Sequence, residues 1–259
     1  MNWDFATILT LLVVVSGGIC LVDRIFFAPK RRAQGVAEYP LLVDYARSFF
    51  PIFLIVLLLR SFLIEPFRIP SGSMMPTLLD GDFILVNKYN YGIRIPVINR
   101  KLIEIGAPKR GDVVVFRYPE DPKTPYIKRV VGIPGDKLKY RDKTLFVNDQ
   151  AVAQTPESTY LGVGSGESMT GAQVRAEQLF DVNHRILITP GRLSKEFEEF
   201  SVPPGQYFVL GDNRDNSRDS RYWGTVPDAN LIGRAFMIWM NADLKFWAFD
   251  LGRIGNRIH

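Results

Sequence analysis

The sequence predicts a membrane-anchored, mainly β protein, in which two N-terminal transmembrane helices precede an antiparallel β domain with a smaller β insert. Two apolar runs near the start predict the helices. Short stretches rich in β-branched and aromatic residues, from Phe83 onward, predict the β domain. We therefore divide the chain into an anchor, residues 1–64, and a second domain, residues 65–259, with the insert at about 137–205.

The first apolar run, Phe5–Val22, contains no charged residue. As a helix it would be about 27 Å long, close to the thickness of the hydrocarbon core of a bilayer. A cleavable signal peptide is the alternative, and it would need a basic segment before the run. Residues 1–4 contain Asp4 and neither Lys nor Arg, so we expect an uncleaved span.

The second run covers residues 48–64 and includes Arg60, which can extend to the headgroups from a position near the end of a span. A buried core helix is the alternative. Residues 23–47, between the runs, contain five basic and three acidic side chains. The positive-inside rule places this loop in the cytoplasm, so both chain ends and everything after Ile64 are expected outside.

The β domain is predicted from seven stretches, namely "FILVNKY", "DVVVF", "YIKRVVGI", "KLKY", "TLFV", "QYFVLG" and "LIGRAFMIWM". The pairs Asp142-Lys143 and Asn148-Asp149 lie between such stretches and predict successive hairpins. Residues 150–200 are more polar, and "GVGSGES" within them is typical of a flexible loop.

Several function classes are disfavoured by composition. The net charge is +5, but no run of Lys and Arg alternates with aromatic residues, so no nucleic-acid partner is expected. The single cysteine, Cys20, excludes an intrachain disulfide. No cluster has zinc-ligand spacing, and "GDNRDNSRDSR" at 211–221 lacks the glycine and closing glutamate of a calcium loop. We therefore expect no metal and no cofactor.

A serine-rich turn, "IPSGSMMPTLL" at 69–79, is the first candidate for chemistry. Ser71 and Ser73 both lie between Pro70 and Pro76, and the sequence alone does not choose between them. A serine becomes a nucleophile only when a base removes its proton. His184 is predicted to be an ordinary surface or hairpin residue, so a Ser-His-Asp triad is not expected.

Lys128 is the remaining candidate base, because it lies in the otherwise apolar stretch "PYIKRVVGI". Strand alternation places it on one face with Tyr126 and Val130. Burial there would lower its pKa. A shift of that pKa to about 8 requires the charged amine to be destabilised by about 3 kcal/mol relative to the neutral amine. An edge lysine that protects the sheet from aggregation is the alternative reading.

Four blocks together resemble bacterial type I signal peptidase (leader peptidase), a family of serine–lysine endopeptidases. They are "FRIPSGSMMPTLLDGD" at 67–82, "RGDVVVFRYP" at 110–119, "YIKRVVGIPGD" at 126–136 and "GDNRDNSRDSRYWG" at 211–224. The order of the blocks and the two N-terminal spans are also similar to the family. The insert matches only in character and lacks the cysteine pair that some members carry.

The resemblance implies a role for six residues. Ser73 matches the nucleophile and Lys128 the general base, while the hydroxyl of Ser71 and the backbone N–H of Ser73 match an oxyanion hole. Ser217 matches a serine that orients the lysine, and Asp219 and Arg221 match a supporting ion pair. The alternatives are a turn cap for Ser217 and Asp219, and a surface pair for Asp219 and Arg221.

The implied function is that of signal peptidase I: cleavage of exported preproteins after small residues, often Ala-x-Ala, through an acyl-enzyme. The enzyme would lie in the bacterial inner membrane with its catalytic domain on the periplasmic side. Ser73 follows Ile64 by only nine positions, at most about 30 Å of extended chain. We expect the subsites to be lined by Phe67, Ile69, Met74 and Ile127.

Membrane lipid is a further expected partner, and direct contact with the secretion machinery stays open. Trp239 and Trp247 fit either the membrane interface or β-core packing. Three other functions are alternatives. They are a serine–lysine protease with one dedicated substrate, an inactive envelope scaffold and a self-cleaving repressor. A scaffold would have lost Ser73 or Lys128, and a repressor would carry a DNA-binding module in place of the spans.

Overall fold

A computed structural model describes residues 5–35, 38–94, 101–242 and 249–259. The chain forms two compact units. The first contains residues 1–64 and 94–102, and the second contains residues 65–93 and 103–259.

The first unit contains the two predicted apolar helices, which the structure confirms. Helix α1 (Phe5–Val22) continues through a wider π-type turn, Asp23–Phe27, into α2 (Ala28–Ala33), and α3 (Leu41–Leu58) continues through Leu59–Leu63. Thr7–Ala33 and Leu41–Leu63 are long and apolar enough to cross a membrane, with mean hydropathies of 2.1 and 1.9.

The second helix begins seven residues before the expected boundary at Ser48, because its first two turns after Pro40 mix polar and apolar residues. The prediction placed the boundary where the continuous apolar run begins, but polar residues can also be part of a helix. The helices α1 and α3 meet closely at Gly17, where a Cβ atom would lie 2.8 Å from the ring of Phe50. A side chain at this position would displace the Phe50 ring, so glycine favours the close approach.

The strands of the chain are short, and one brief helix lies among them. In chain order the strands are β1 (Ile64–Arg68), β2 (Asp82–Asn87), β3 (Ile93–Arg94), β4 (Lys101–Ile103), β5 (Val113–Arg117), β6 (Pro125–Gly132), β7 (Lys137–Arg141), β8 (Thr144–Val147), β9 (Gln150–Ala151), β10 (Ala153–Thr159), β11 (Gln173–Leu179), β12 (Val182–Ile188), β13 (Phe197–Ser201), β14 (Gln206–Leu210), β15 (Val226–Pro227) and β16 (Leu231–Asn241). Helix α4 is Ser220–Trp223.

The main sheet has seven strands in the order β1-β2-β16-β5-β6-β14-β15. Its pairs from β2 to β15 are antiparallel. Both faces are covered, because Val113 and Val115 pack in one apolar cluster while Val114 and Phe116 pack in another. This burial on both faces explains why β5 is a continuous apolar stretch without polar alternation.

The insert leaves the main sheet after β6 and returns at β14. It contains a four-stranded sheet, β13-β7-β8-β9, and a three-stranded sheet, β10-β11-β12. The predicted hairpins are confirmed: Asp142 and Lys143 have φ of 47° and 61°, and Asn148 and Asp149 have φ of 51° and 65°. Both turns show the two consecutive positive φ angles of a type I′ turn.

The polar region 150–200 also contains regular strands that the sequence did not predict. Strand β10 is exposed along almost its whole length, so it shows no hydrophobic alternation. The stretch "GVGSGES" forms a short helical turn, Gly164–Met169, in its second half.

Candidate active site

The serine turn connects β1 to β2, and its ends are fixed by backbone hydrogen bonds. The N–H of Ile69 donates to the carbonyl of Asp82 at 2.8 Å, and the N–H of Gly81 donates back to the carbonyl of Ile69 at 2.9 Å. A single helical turn, Gly72–Met74, then presents Ser73, which is half-buried, beside Ser71, which is exposed. The Ser73 hydroxyl is thus held on a pinned turn and remains open to solvent.

Lys128 lies on β6 with 4% of its surface exposed, and its Nζ is 2.7 Å from Ser73 Oγ. The amine also donates to the carbonyl of Ile127 at 2.8 Å and lies 5.6 Å from the ring centre of Tyr126. Since β6 is an interior strand between β5 and β14, the edge-lysine reading is wrong.

Burial lowers the pKa of Lys128 to about 8, although the carboxylates of Asp219 and Asp212 act in the opposite direction. A primary amine with that pKa is about one-quarter neutral at pH 7.5, compared with about one part in a thousand for an ordinary lysine. The site therefore brings together a serine hydroxyl and an amine that can accept its proton.

Ser71 lies close to the Ser73 hydroxyl, with its Oγ 3.4 Å from Ser73 Oγ. Its backbone is extended, with φ −151° and ψ 155°. This geometry brings a second hydroxyl close to the atom that would attack a substrate.

Ser217 is also close to the serine turn, but it does not form the hydrogen bond expected with the lysine. Its Oγ is buried and has no hydrogen-bond partner among the described residues. A Cβ atom at Gly211 would lie 2.2 Å from Ser217 Oγ and 2.5 Å from the carbonyl oxygen of Ser73. Gly211 therefore separates the two serines with no room for a side chain.

Asp219 and Arg221 form a buried, two-pronged ion pair, with both Nε–Oδ1 and Nη2–Oδ2 at 2.8 Å. Asp219 also accepts from the N–H of Gly211 at 3.0 Å and caps the short helix α4. The surface-pair reading is therefore wrong, while the turn cap and the ion pair both exist. By accepting the hydrogen bond from Gly211, the Asp219 carboxylate holds the Gly211 backbone in contact with Ser73 and Ser217.

Asn213 holds the serine turn and was not identified from the sequence. Its backbone N–H donates to the carbonyl of Ser73 at 3.1 Å, and its Nδ2 donates to the carbonyl of Gly72 at 3.0 Å. The backbone of the turn is thus fixed from a residue about 140 positions away. The only sequence signal was the density of Asp, Asn and Arg in "GDNRDNS", which does not show where each side chain points.

Arg129 and Asp212 form a second buried ion pair beside the base. Arg129 Nε and Nη2 donate to the two carboxylate oxygens at 2.8 and 2.7 Å, and Nη1 donates to the carbonyls of Gly111 and His259. Thr77 adds a hydrogen bond to the same carboxylate at 2.5 Å. Consecutive residues of β6 therefore carry the amine and a fully paired guanidinium.

His184 was expected to be a surface or hairpin residue; it does lie in the β11–β12 hairpin, but it is not at the surface. It is buried on β12, with Nε2 3.2 Å from Glu177 and 3.8 Å from Asp212. Burial and the nearby Arg129 lower its pKa, so it is neutral at pH 7. His184 pairs with Glu177 across β11 and β12, and the alternation of "DVNHRIL" points it inward.

Two further ion pairs connect the insert to the loop at residues 212–216. Arg214 forms a two-pronged pair with Glu177, and both side chains are fully buried. Lys143, in the β7–β8 turn, donates to the buried carboxylate of Asp215 at 2.8 Å. Burial opposes ionisation of Glu177, but the charge of Arg214 holds the pKa of Glu177 far below its usual value. The insert therefore supports the loop that carries Asn213.

The four apolar residues expected to line subsites belong to one cluster. Ile69, Met74 and Ile127 are buried in it, and Phe67 packs against it while half-buried. Met74 has no exposed surface, so a substrate could touch it only through a rearrangement of its neighbours.

The described residues contain no group of three or more His, Cys, Asp or Glu side chains arranged to hold a metal ion. Trp239 is 37% exposed and meets the ring of Phe83 edge-on at 5.8 Å, while Trp247 lies outside the described residues.

The chain is similar to known signal peptidases. Residues 42–240 match the family model described as signal peptidase, peptidase S26. A signal peptidase I of Pseudomonas fluorescens is 48% identical over 93% of each chain, and one of Pseudomonas aeruginosa strain PAO1 is 46% identical over 93% of each chain. A solved signal peptidase I from Enterococcus faecalis is 27% identical, covering 51% of this chain and 98% of its own, with a TM-score of 0.31.

Proposed function

This chain belongs to the signal peptidase family, peptidase S26, and is a peptidase that cleaves signal peptides; on this premise we propose that it does so with a serine–lysine dyad. Ser73 is the nucleophile and Lys128 is its general base. The observation that carries the proposal is the 2.7 Å distance between Lys128 Nζ and Ser73 Oγ, at an amine whose pKa is about 8.

The reaction begins when neutral Lys128 takes the proton of the Ser73 hydroxyl and the oxygen attacks the scissile carbonyl. The resulting oxyanion accepts hydrogen bonds from the Ser73 N–H and the Ser71 hydroxyl. Protonated Lys128 then gives its proton to the leaving amine. The same amine, neutral again, takes a proton from the water that hydrolyses the acyl-enzyme.

Ser217, Asp219 and Arg221 act as positioning residues in this proposal. Asp219, held by Arg221, fixes the N–H of Gly211, and the Gly211 backbone packs directly against the Ser73 carbonyl and the Ser217 side chain. The Ser217 hydroxyl, which has no partner among the described residues, is free to accept from the Lys128 amine when that amine leaves the Ile127 carbonyl.

The substrate is an exported preprotein with small residues, of the Ala-x-Ala type, before the cut. We assign the subsites to the apolar cluster that contains Phe67, Ile69, Met74 and Ile127, which favours short apolar side chains over polar ones. Phe67 is half-buried and can contact a substrate directly, whereas the fully buried Met74 can do so only if its neighbours rearrange. We place the catalytic unit on the periplasmic side of the inner membrane, with both chain ends outside. The basic residues of the segment 23–47 support this orientation.

Cleavage of a purified preprotein in detergent tests the mechanism. Wild type should cut after a small residue, while Ser73→Ala, Lys128→Ala and Lys128→Met should be inactive. Ser71→Ala should lower kcat by about 10²–10³-fold, as expected for loss of one oxyanion donor. Normal cleavage by Lys128→Met would show that the base lies elsewhere, and efficient cutting after a bulky residue would contradict the proposed specificity.

A further inference from the structure

A polar cavity lies within the first unit, where the apolar parts of its two long helices end. It has a volume of 690 Å³, which is within the size range of sites for small ligands. Its wall is formed by nine residues from the end of α1 and the following turn, from α2, from the connection to α3, and from α3 itself. They are Cys20, Asp23, Arg24, Ala28, Pro29, Arg31, Arg32, Tyr39 and Arg47.

The cavity is strongly positive. Four arginines line it against one carboxylate, which leaves a net charge of +3. Arg31 already uses its guanidinium on Asp23, with two hydrogen bonds of 2.6 and 2.7 Å. Within the described ranges, Arg24, Arg32 and Arg47 form no ion pair with a carboxylate, although the charge of Asp23 also attracts Arg47, so the cavity keeps an excess of positive charge.

Two of the arginines are held in place by an aromatic ring. The guanidinium carbon of Arg47 lies 4.3 Å from the ring centre of Tyr39, and that of Arg31 lies 5.2 Å from it. Stacking on a ring orients a guanidinium without using its N–H donors. Arg47 is therefore preorganised with its donors available, which lowers the entropic cost of binding an anion.

The surface beside the cavity is apolar and exposed. Phe26 and Phe27 precede α2, Leu41 and Leu42 begin α3, and each of the four side chains is more than half exposed. A soluble anion gains nothing from this surface. A molecule with an anionic head and hydrocarbon tails matches both parts, because its phosphate meets the arginines while its tails cover the apolar side chains.

From this combination we propose that the cavity binds the headgroup phosphate of an anionic phospholipid, with the acyl chains lying along the helices. Arg24, Arg32 and Arg47 donate to the phosphate oxygens, and Asp23 fixes the remaining guanidinium of Arg31 at the wall. The bound lipid would tie the segment between the helices to the bilayer surface. The site makes no use of the serine–lysine dyad.

Lipid retention by the purified full chain tests the proposal. The chain in detergent micelles would be mixed with phosphatidylglycerol or phosphatidylcholine, and bound lipids would be counted by native mass spectrometry. Wild type should retain phosphatidylglycerol in preference. Each basic residue near a membrane surface contributes about fivefold in affinity, so Arg24→Gln/Arg47→Gln should weaken phosphatidylglycerol binding about 25-fold.

A matched control variant removes two positive charges at residues that do not line the cavity. Arg185→Gln/Arg192→Gln changes two exposed basic residues of the second unit, neither of which lines the cavity, and should bind phosphatidylglycerol within about twofold of wild type. Ser73→Ala should also bind like wild type, so failure of this proposal is distinct from failure of the catalytic one. Arg47→Lys, which keeps the charge without the planar fork, should fall between wild type and the double variant.

Three outcomes would overturn the proposal. Wild type could show no preference for phosphatidylglycerol, or the control pair could lose as much binding as the arginine pair. Displacement of the lipid by millimolar inorganic phosphate would instead assign the cavity to a soluble anion. The first comparison needs no substitution, so the test stands even if a variant fails to fold.

Discussion

Replacing Lys128 with methionine should abolish cleavage and at the same time stabilise the folded protein. The folded chain holds this amine at 4% exposure, and burial lowers its pKa from 10.5 to about 8. Because the unfolded chain binds the proton more tightly, the buried lysine destabilises the fold. That cost is complete below pH 8 and disappears as the pH rises towards 10.5.

The size of the effect follows from the shift. About 2.5 pKa units at about 1.4 kcal/mol each give about 3 kcal/mol at pH 7, which methionine of similar volume avoids. For a domain of this size the change raises Tm by about 6–12 °C. At pH 10 the wild-type amine is already largely neutral, and the advantage of methionine should fall to about 1 kcal/mol.

Thermal unfolding of the full chain in detergent, followed by near-ultraviolet circular dichroism at pH 7 and pH 10, measures this. Lys143→Met is the matched control, since the same substitution there removes the partner of the buried carboxylate of Asp215. It should lower the free energy of unfolding by about 1.5–3 kcal/mol. A Lys128→Met protein that is less stable than wild type at pH 7, or whose gain is the same at pH 10, would refute the reasoning.

Three further predictions concern the same unit. The kcat/KM of wild type should rise about tenfold per pH unit from pH 6 and level off near pH 8, where the pKa of Lys128 lies; a rise that continues to pH 10 would mean an ordinary lysine. Gly211→Ala should lower kcat about 100-fold in a folded protein, because its Cβ would push Ser73 and Ser217 apart, whereas Gly252→Ala, with its nearest neighbour at 3.2 Å, should stay active. Glu177→Gln should lower the free energy of unfolding by about 3–5 kcal/mol, since it leaves Arg214 buried without a counter-charge; an unchanged melting curve would contradict that role for the pair.

The parts of the fold that could be predicted are those encoded by neighbouring residues. Two apolar runs predicted the helices, and the turns at Asp142-Lys143 and Asn148-Asp149 predicted hairpins, because each pattern acts over a few positions. Strand β10 could not be predicted in this way, since an exposed strand has no apolar alternation to detect. The predicted start of α3 was wrong for a related reason. The apolar run shows only which residues can lie in a bilayer, whereas the helix begins earlier, at Leu41.

The candidate site shows the same difference between features encoded by neighbouring residues and features that depend on the folded chain. The serine turn and Lys128 became candidates because a proline-framed serine turn and a lysine in an apolar strand are local anomalies. The family resemblance then chose Ser73 over Ser71 and gave Lys128 the role of base. The contact of Asn213 with the serine turn and the pairing of Glu177 with Arg214 depend on chain segments that meet only in the folded sheet. The surface alternative for His184 was wrong because burial of a strand residue depends on what covers its face, and the sequence does not state that.

Because Lys128 and Arg129 are adjacent, the register of β6 in the sheet decides which of the two lies beside Ser73. The two cations point to opposite sides of β6, one towards Ser73 and the other towards Asp212. A slip of β6 by one residue would exchange them and place a guanidinium, which does not lose its proton, beside the serine hydroxyl. The slipped sheet would keep its net charge, yet it could not start the reaction. Strand pairing between β5, β6 and β14 therefore determines which of two neighbouring cations lies beside the serine hydroxyl.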